Sequence, residues 1–143
     1  MKSKRKERLF VDTSAWIALY DTSDVHHPAA VKFFTPVNLR ALHLSPLTTN
    51  FVFAETYSYF CRNHAAAIAV GEHLRTSRAL ECIRIADADE EVAWQIAQKY
   101  HDRGFSFVDC LSFAVMTRLG CHQAFAFDRH FAQMGFTIWP GQP

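Results

Sequence analysis

No stretch of this chain approaches the roughly 20 consecutive apolar residues of a membrane-spanning helix, so no membrane span is expected. Glycine is scarce, five among 143 residues, and no Gly/Ser-rich, repetitive or low-complexity segment divides the sequence. That argues against a linker and for one domain, the usual content of a chain of this length. Net charge is missing too: 15 Lys and Arg against 14 Asp and Glu leave +1. A protein so balanced does not hold nucleic acid by overall charge, and any such contact must come from local patches. Paired cysteines are absent. Cys61, Cys82, Cys110 and Cys121 form no C-x-x-C motif and lie in apolar surroundings, which predicts reduced core thiols of a cytoplasmic protein rather than a disulfide or zinc site. The basic start, residues 1–8, is followed only by Leu9-Phe10-Val11 before Asp12 interrupts, too short for an export segment. Residues 1–8 are therefore expected as a flexible, solvated tail and residues 9–143 as the single domain.

What the chain does have is apolar surface. Half of its residues are hydrophobic and 13 are Phe, enough for a sizeable core and incompatible with disorder through the body of the chain. Residues 9–12 read as a buried strand and 13–21 as a helix capped by Thr13 or Ser14. Pro28 suits the first turn of a second helix over about 27–34, which Pro36 stops, and 41–45 alternates as a strand. Thr48 or Thr49 caps a helix reaching about 63, another spans about 65–75, and 80–86 is β-like. Asp87, Asp89, Glu90 and Glu91 read as a helix start and solvated face, suited to the positive end of the helix dipole. Val92, Ile96 and Tyr100, with Ala93 and Ala97, form that helix's apolar stripe, and Gly104 ends it. Residues 107–119 form the next helix, with Leu111, Ala114, Val115 and Leu119 on its buried face and Gly120 at its stop. Residues 124–127 and 136–139 read as strands. Strands separated by helices of ten or more residues predict an α/β fold, a three-layer α/β/α sandwich around a mostly parallel sheet.

Four carboxylates stand where apolar runs end or helices begin. Asp12 follows Phe10-Val11, Asp109 follows Phe107-Val108, Asp128 follows Ala126-Phe127, and Glu55 sits among Phe51, Phe53, Tyr57 and Tyr59. Singly, Asp12 and Asp109 suit helix N-caps and Asp128 the start of a short helix; Glu55 is explained by neither capping nor solvation. Unpaired carboxylates buried in such surroundings cost roughly several kcal/mol each, unless they converge on a cation. In open parallel sheets the crevice beyond the carboxyl ends of the strands, at the topological switch point, is where ligands bind. Asp12 and Asp128, each expected as the last residue of its strand, meet there if those strands are neighbours, and Asp109 and Glu55 reach the same place. Hard oxygen donors suit Mg²⁺ or Mn²⁺, and the missing His/Cys pattern disfavours zinc. Such an ion activates water for in-line attack on a phosphodiester.

Four segments surround these acids: Val11-Asp12-Thr13-Ser14-Ala15, Thr48-Thr49-Asn50-Phe51-Val52-Phe53-Ala54-Glu55-Thr56, Phe107-Val108-Asp109-Cys110-Leu111-Ser112-Phe113-Ala114-Val115-Met116, and Phe125-Ala126-Phe127-Asp128-Arg129-His130-Phe131. In order and spacing the chain resembles the PIN-domain ribonucleases, particularly the toxin half of VapBC-type toxin–antitoxin pairs, over about residues 8 to 139. The resemblance implies a PIN-like fold and a Mg²⁺- or Mn²⁺-dependent endonuclease directed at single-stranded RNA. It implies that Asp12, Glu55, Asp109 and Asp128 hold the metal and form the catalytic centre, supported by Thr13, Ser14 and Ser106. It also implies a cognate antitoxin and a homodimer.

Arg129 and His130, beside Asp128, are candidate RNA contacts. Arg62, His64, Arg75, Arg78 and Arg103 read as surface charges, Asp24, His26 and His27 as a surface loop, and Trp94 as a partner contact or a core edge. Two other classes compete. An aspartyl-phosphate phosphotransfer domain of the haloacid-dehalogenase kind needs a second Asp where Ser14 stands. A catalytically silent RNA- or protein-binding module on the same fold is the second, and the intact acid quartet argues against it.

Overall fold

Along the chain, β1 (Glu7–Val11) leads into α1 (Thr13–Tyr20), α2 (His27–Phe33) and α3 (Pro36–Ala41) before β2 (Leu44–Thr49). Two helices, α4 (Asn50–Phe60) and α5 (His64–Thr76), join β2 to β3 (Glu81–Ile83). Two more, α6 (Asp87–Lys99) and α7 (Phe107–Leu119), join β3 to β4 (Gln123–Phe125), and the short α8 (His130–Gln133) precedes β5 (Thr137–Trp139). The computed structural model describes residues 5–141. In it the five strands form one sheet, every pair parallel, in the order β3-β2-β1-β4-β5. The expected α/β sandwich is thus present. Right-handed crossovers put α1–α5 on one face and α6–α8 on the other.

The Phe residues supply both layers of core. Phe10 meets Phe131 of α8 with ring centroids 5.9 Å apart, and Phe131 meets Phe113 of α7 at 5.1 Å. On the other face Phe125 packs on Phe33 and Phe34 at 4.9 and 5.3 Å, and Trp16 of α1 meets Phe34 at 5.8 Å. Phe10 is in register with Ala124, and Val11 with Phe125, so the pleat sends the two large rings to opposite faces. Full burial of each such side chain contributes about 1.5–3 kcal/mol. A one-residue slip between β1 and β4 would set ring against ring on one face and leave a void on the other, so packing locks the register that positions their carboxyl ends.

Several local expectations are corrected. The Asp12 carboxylate, rather than Thr13 or Ser14, caps α1. Pro36 opens a helix instead of only stopping one: Thr35 accepts from the Asn38 N–H and proline occupies the first helical position. The second strand therefore starts at Leu44, not Ala41, and runs through Pro46 to Thr49. Helix α4 ends at Phe60, because the Asn63 side chain accepts from the Ala66 N–H and starts α5. Strand β4 ends at Phe125, so Asp128 lies three residues beyond its strand rather than at its end. Of the expected tail, residues 1–4 lie outside the described residues, while Glu7 and Arg8 already pair with Leu44 and Ser45.

Burial differs too. Cys110 and Cys121 are core thiols as expected, but Cys61 and Cys82 are exposed. Val92 is 42% exposed although it was placed on the apolar stripe, and Asp89, placed on the solvated face, is only 2% exposed. Asp89 Oδ2 accepts from the Ala86 N–H at 3.0 Å, and both its oxygens take bonds from Arg118 of α7, at 2.7 and 3.0 Å. That bidentate pair holds the Asp89 carboxyl below its usual range, with the Arg118 hydrogen bonds as the main cause. It clamps α6 to the helix that carries Asp109. Helix α7 is buried nearly all round, from Asp109 to Met116. Its end is marked by Gly120 at φ 63°, a left-handed turn that a side chain would strain. Arg118→Ala leaves the buried Asp89 carboxylate without its main partner, and we expect a loss of about 1–3 kcal/mol in urea unfolding; an unchanged midpoint would show that the clamp is energetically idle.

Candidate active site

Three local devices aim the acids. Asp12 is extended, at φ −81° and ψ 162°, as the chain turns from β1 into α1. Its Oδ2 accepts from the Ser14 N–H at 3.2 Å and from the Ser14 hydroxyl at 2.7 Å. The same Ser14 Oγ accepts from the Phe127 N–H at 3.0 Å, so one hydroxyl ties the end of β1 to the loop after β4. At the start of α7, Ser106 and Asp109 form a reciprocal capping box: the Asp109 N–H donates to Ser106 Oγ at 3.0 Å, and the Ser106 N–H to Asp109 Oδ2 at 3.1 Å. In the loop after β4, the His130 N–H donates to Asp128 Oδ1 at 2.9 Å.

These turns open on one cavity of about 540 Å³. All four acids and the three supporting residues, Thr13, Ser14 and Ser106, line it, together with His130, Ile17, Ser58 and Tyr59. The acids are not equivalent. Asp12 and Asp109 are nearly sealed, at 3% and 8% exposure. Asp128 is half-buried, and Glu55 stands at the wall on α4, half-buried as well. The donor atoms of Asp109, Asp128 and His130 lie within 4.8 Å of one another, the one such group among the described residues. Neither Asp12 nor Glu55 belongs to that trio.

Crowding like charges out of water has the expected electrostatic result. Burial first, then the Asp128 carboxylate, push Asp12 up from 3.8 to about 8, with Asp109 adding to the rise and the Ser14 hydrogen bonds opposing it. Asp128 is raised as well, by burial and then by Asp109, against the relief of the His130 N–H and of a hydrogen bond with Asp12. Thr13 lines the cavity, and its hydroxyl is buried with no hydrogen-bond partner. Carboxylates short of a counter-charge, a hydroxyl oxygen short of a partner and a donor set rich in oxygen together fit a hard divalent cation.

The two candidate RNA contacts differ in their setting. His130 turns inward, its Nδ1 2.9 Å from Asp109 Oδ2, while Arg129 stays exposed and outside the cavity lining. His26 stacks on Phe127 at 4.4 Å, next to Asp128. The signal for His130 was its place two residues after an acid in a turn, where one backbone N–H serves the acid while the ring reaches across. Arg62, His64, Arg75, Arg78 and Arg103 are exposed and take no part in the cavity. Trp94 is 55% exposed, edge-on to Phe107 at 6.5 Å.

The PIN-domain family profile matches residues 9–137. The chain is 35% identical over 133 residues to the 23S rRNA-specific endonuclease VapC20 of two Mycobacterium tuberculosis strains, covering 90% of this chain and 95% of that protein. The crystal structure of Mycobacterium tuberculosis VapC20, described as a sarcin-ricin loop cleaving toxin, aligns with a TM-score of 0.80 at 34% identity, over 90% of this chain and 96% of that one. A toxin–antitoxin complex from Klebsiella pneumoniae shares the fold, with a TM-score of 0.67 at 14% identity over 94% and 99% of the two chains. So does FitAcB from Neisseria gonorrhoeae, at 0.66 and 13% over 91% and 95%.

The raised Asp12 makes stability pH-dependent in the metal-free protein. Between about pH 4 and pH 8 the folded state keeps a proton that the unfolded chain, with its carboxyl at 3.8, has released. Stability from this group therefore falls as pH rises through that window. Asp12→Asn keeps a capping side chain and removes the titration. In EDTA, the melting-temperature advantage of the variant over the parent should grow from pH 5 to pH 8. A constant difference would mean that Asp12 does not titrate in that window.

Proposed function

The chain belongs to the PIN-domain family, and we propose that it is an RNA endonuclease of the VapC toxin class working with a divalent cation. The observation that carries this reading is the convergence of Asp12, Asp109 and Asp128, largely withdrawn from water, on one cavity at the carboxyl ends of β1 and β4. Asp12, Glu55, Asp109 and Asp128 are the residues proposed to hold Mg²⁺ or Mn²⁺ and to form the catalytic centre. Such an ion, when bound, supplies nucleophilic water at neutral pH and offsets charge on the leaving oxygen.

The chain's own groups prepare the site. Ser14 fixes Asp12 and the loop bearing Asp128 with a single hydroxyl, and Ser106 fixes Asp109. Without a cation these acids repel a phosphodiester, so admission of RNA is tied to metal loading. Arg129, exposed beside the acids, is placed to meet the incoming backbone. The open cavity suits nucleotides not locked in a duplex, whose bases can splay apart. The targets named for VapC20 make the sarcin-ricin loop of 23S rRNA the first substrate to try. A cognate antitoxin, a homodimer and a cytoplasmic location complete the proposal; among the described residues no helix is long and apolar enough to cross a membrane. We read residues 9–143 as one domain led in by residues 1–8, whose last two join its first strand.

The purified protein should cut total RNA, or a transcript bearing that loop, in Mg²⁺ or Mn²⁺ and stop in EDTA. Asp12→Asn and Asp109→Asn should each slow cleavage at least about 100-fold with unchanged circular dichroism. Parental rates in Asp109→Asn would overturn the site assignment. A folded, antitoxin-free parent that binds RNA without cutting it would instead make the chain a binding module.

A further inference from the structure

Beside the acids the cavity presents a nitrogen donor that the acid quartet does not include. We propose that His130 is itself a ligand of the divalent cation, so that the site is a mixed nitrogen–oxygen site that favours Mn²⁺ and the later first-row ions over Mg²⁺. This rests on the metal-dependent reading above and refines it.

Four observations converge. First, the tightest cluster of donor atoms among the described residues is not a set of acids alone; it is Asp109, Asp128 and His130, within 4.8 Å of one another. Second, His130 Nδ1 lies 2.9 Å from Asp109 Oδ2. In the bare protein that contact is a hydrogen bond; once a cation displaces the shared proton, the pair has the roughly 3 Å separation of adjacent donors on an octahedral ion with bonds of about 2.1 Å. Third, the imidazole is set in place without RNA. Phe105 packs edge-on against it at 5.2 Å and 74°, and the residue's own N–H is bonded to Asp128. Fourth, Thr13 lines the same cavity and its buried hydroxyl has no hydrogen-bond partner, leaving an unsatisfied oxygen in a residue beside the cluster.

An RNA contact is the weaker role for His130. Its Nδ1 faces Asp109 inside the cavity, whereas its neighbour Arg129 faces solvent. The chemistry sets the selectivity. Carboxylate and water ligands alone suit Mg²⁺, while an imidazole nitrogen contributes little to Mg²⁺ and increasingly more along the first-row series.

The test uses Mn²⁺ and Mg²⁺ with the RNA-free protein. Spin-echo modulation of bound Mn²⁺ should carry a nitrogen coupling in the parent that disappears in His130→Gln. Titration followed by the Mn²⁺ resonance, with Mg²⁺ as competitor, should show the Mn²⁺-over-Mg²⁺ preference falling at least about tenfold in that variant. Absence of nitrogen coupling in the parent, which needs no variant to fold, or an unchanged preference in His130→Gln overturns the proposal. If Mn²⁺ binding still depends on Asp109 in that case, the underlying metal site stands. Mn²⁺ binding unaffected by Asp109→Asn would instead remove the metal site itself, and the role of His130 with it.

Discussion

Asp12 is withdrawn from water, and its closest charged companions are other carboxylates. The groups cannot all stay ionised together without a counter-charge, and in the bare protein a proton held up to about pH 8 on Asp12 supplies it. Each neighbouring feature serves that arrangement. The Ser14 and Ser106 bonds stabilise the negative forms without neutralising them, and Asp128 and Asp109 share the imidazole-bearing residue. A divalent cation at this point would satisfy carboxylates that a protein otherwise keeps apart. The same repulsion that weakens the bare fold thus becomes affinity for the ion that the chemistry requires.

The sheet makes the crowding possible. β1 lies between β2 and β4, and the chain order reverses there, which makes the carboxyl end of β1 the switch point beyond which the crevice forms. Aromatic rings lock the register of β1 against β4 from both faces, which fixes the heights at which Asp12 and the Asp128 loop emerge. Helix α7 carries Asp109 in its first turn and is buried nearly throughout, clamped through Arg118 to Asp89 on α6. Asp12 and Asp109 are therefore held by core packing, and the Asp128 loop is tied to the start of α1 through Ser14, the preorganisation a metal centre needs.

The acids were legible in the sequence because each interrupts an apolar run where capping, solvation or a turn explains it only singly. Their joint placement needed the parallel order, which the alternation of strands and long helices implied. What stayed hidden has specific causes. Helix α3 was missed because Pro36 stops one helix and starts another in a single step, and the rule for stopping is the one more readily seen. Strand β2 was cut short at Ser45 because the proline after it argues against a strand, yet Pro46 is buried inside one. Asp89 read as solvated because its partner, Arg118, lies 29 residues away, and no periodicity reports such a pair. His130 read as a candidate RNA contact alongside Arg129, because charge beside an acid says nothing about which way a ring turns; its Nδ1 meets Asp109.

The central claim is that these residues form one metal centre. The most direct measurement is a crystal structure from Mn²⁺-soaked crystals with data collected at the manganese absorption edge. The account predicts anomalous density in the cavity between Asp12, Asp109 and Asp128, with Glu55 facing it and His130 against it. A well-ordered cavity without anomalous density at saturating Mn²⁺, or density only at a surface site away from these acids, would contradict it.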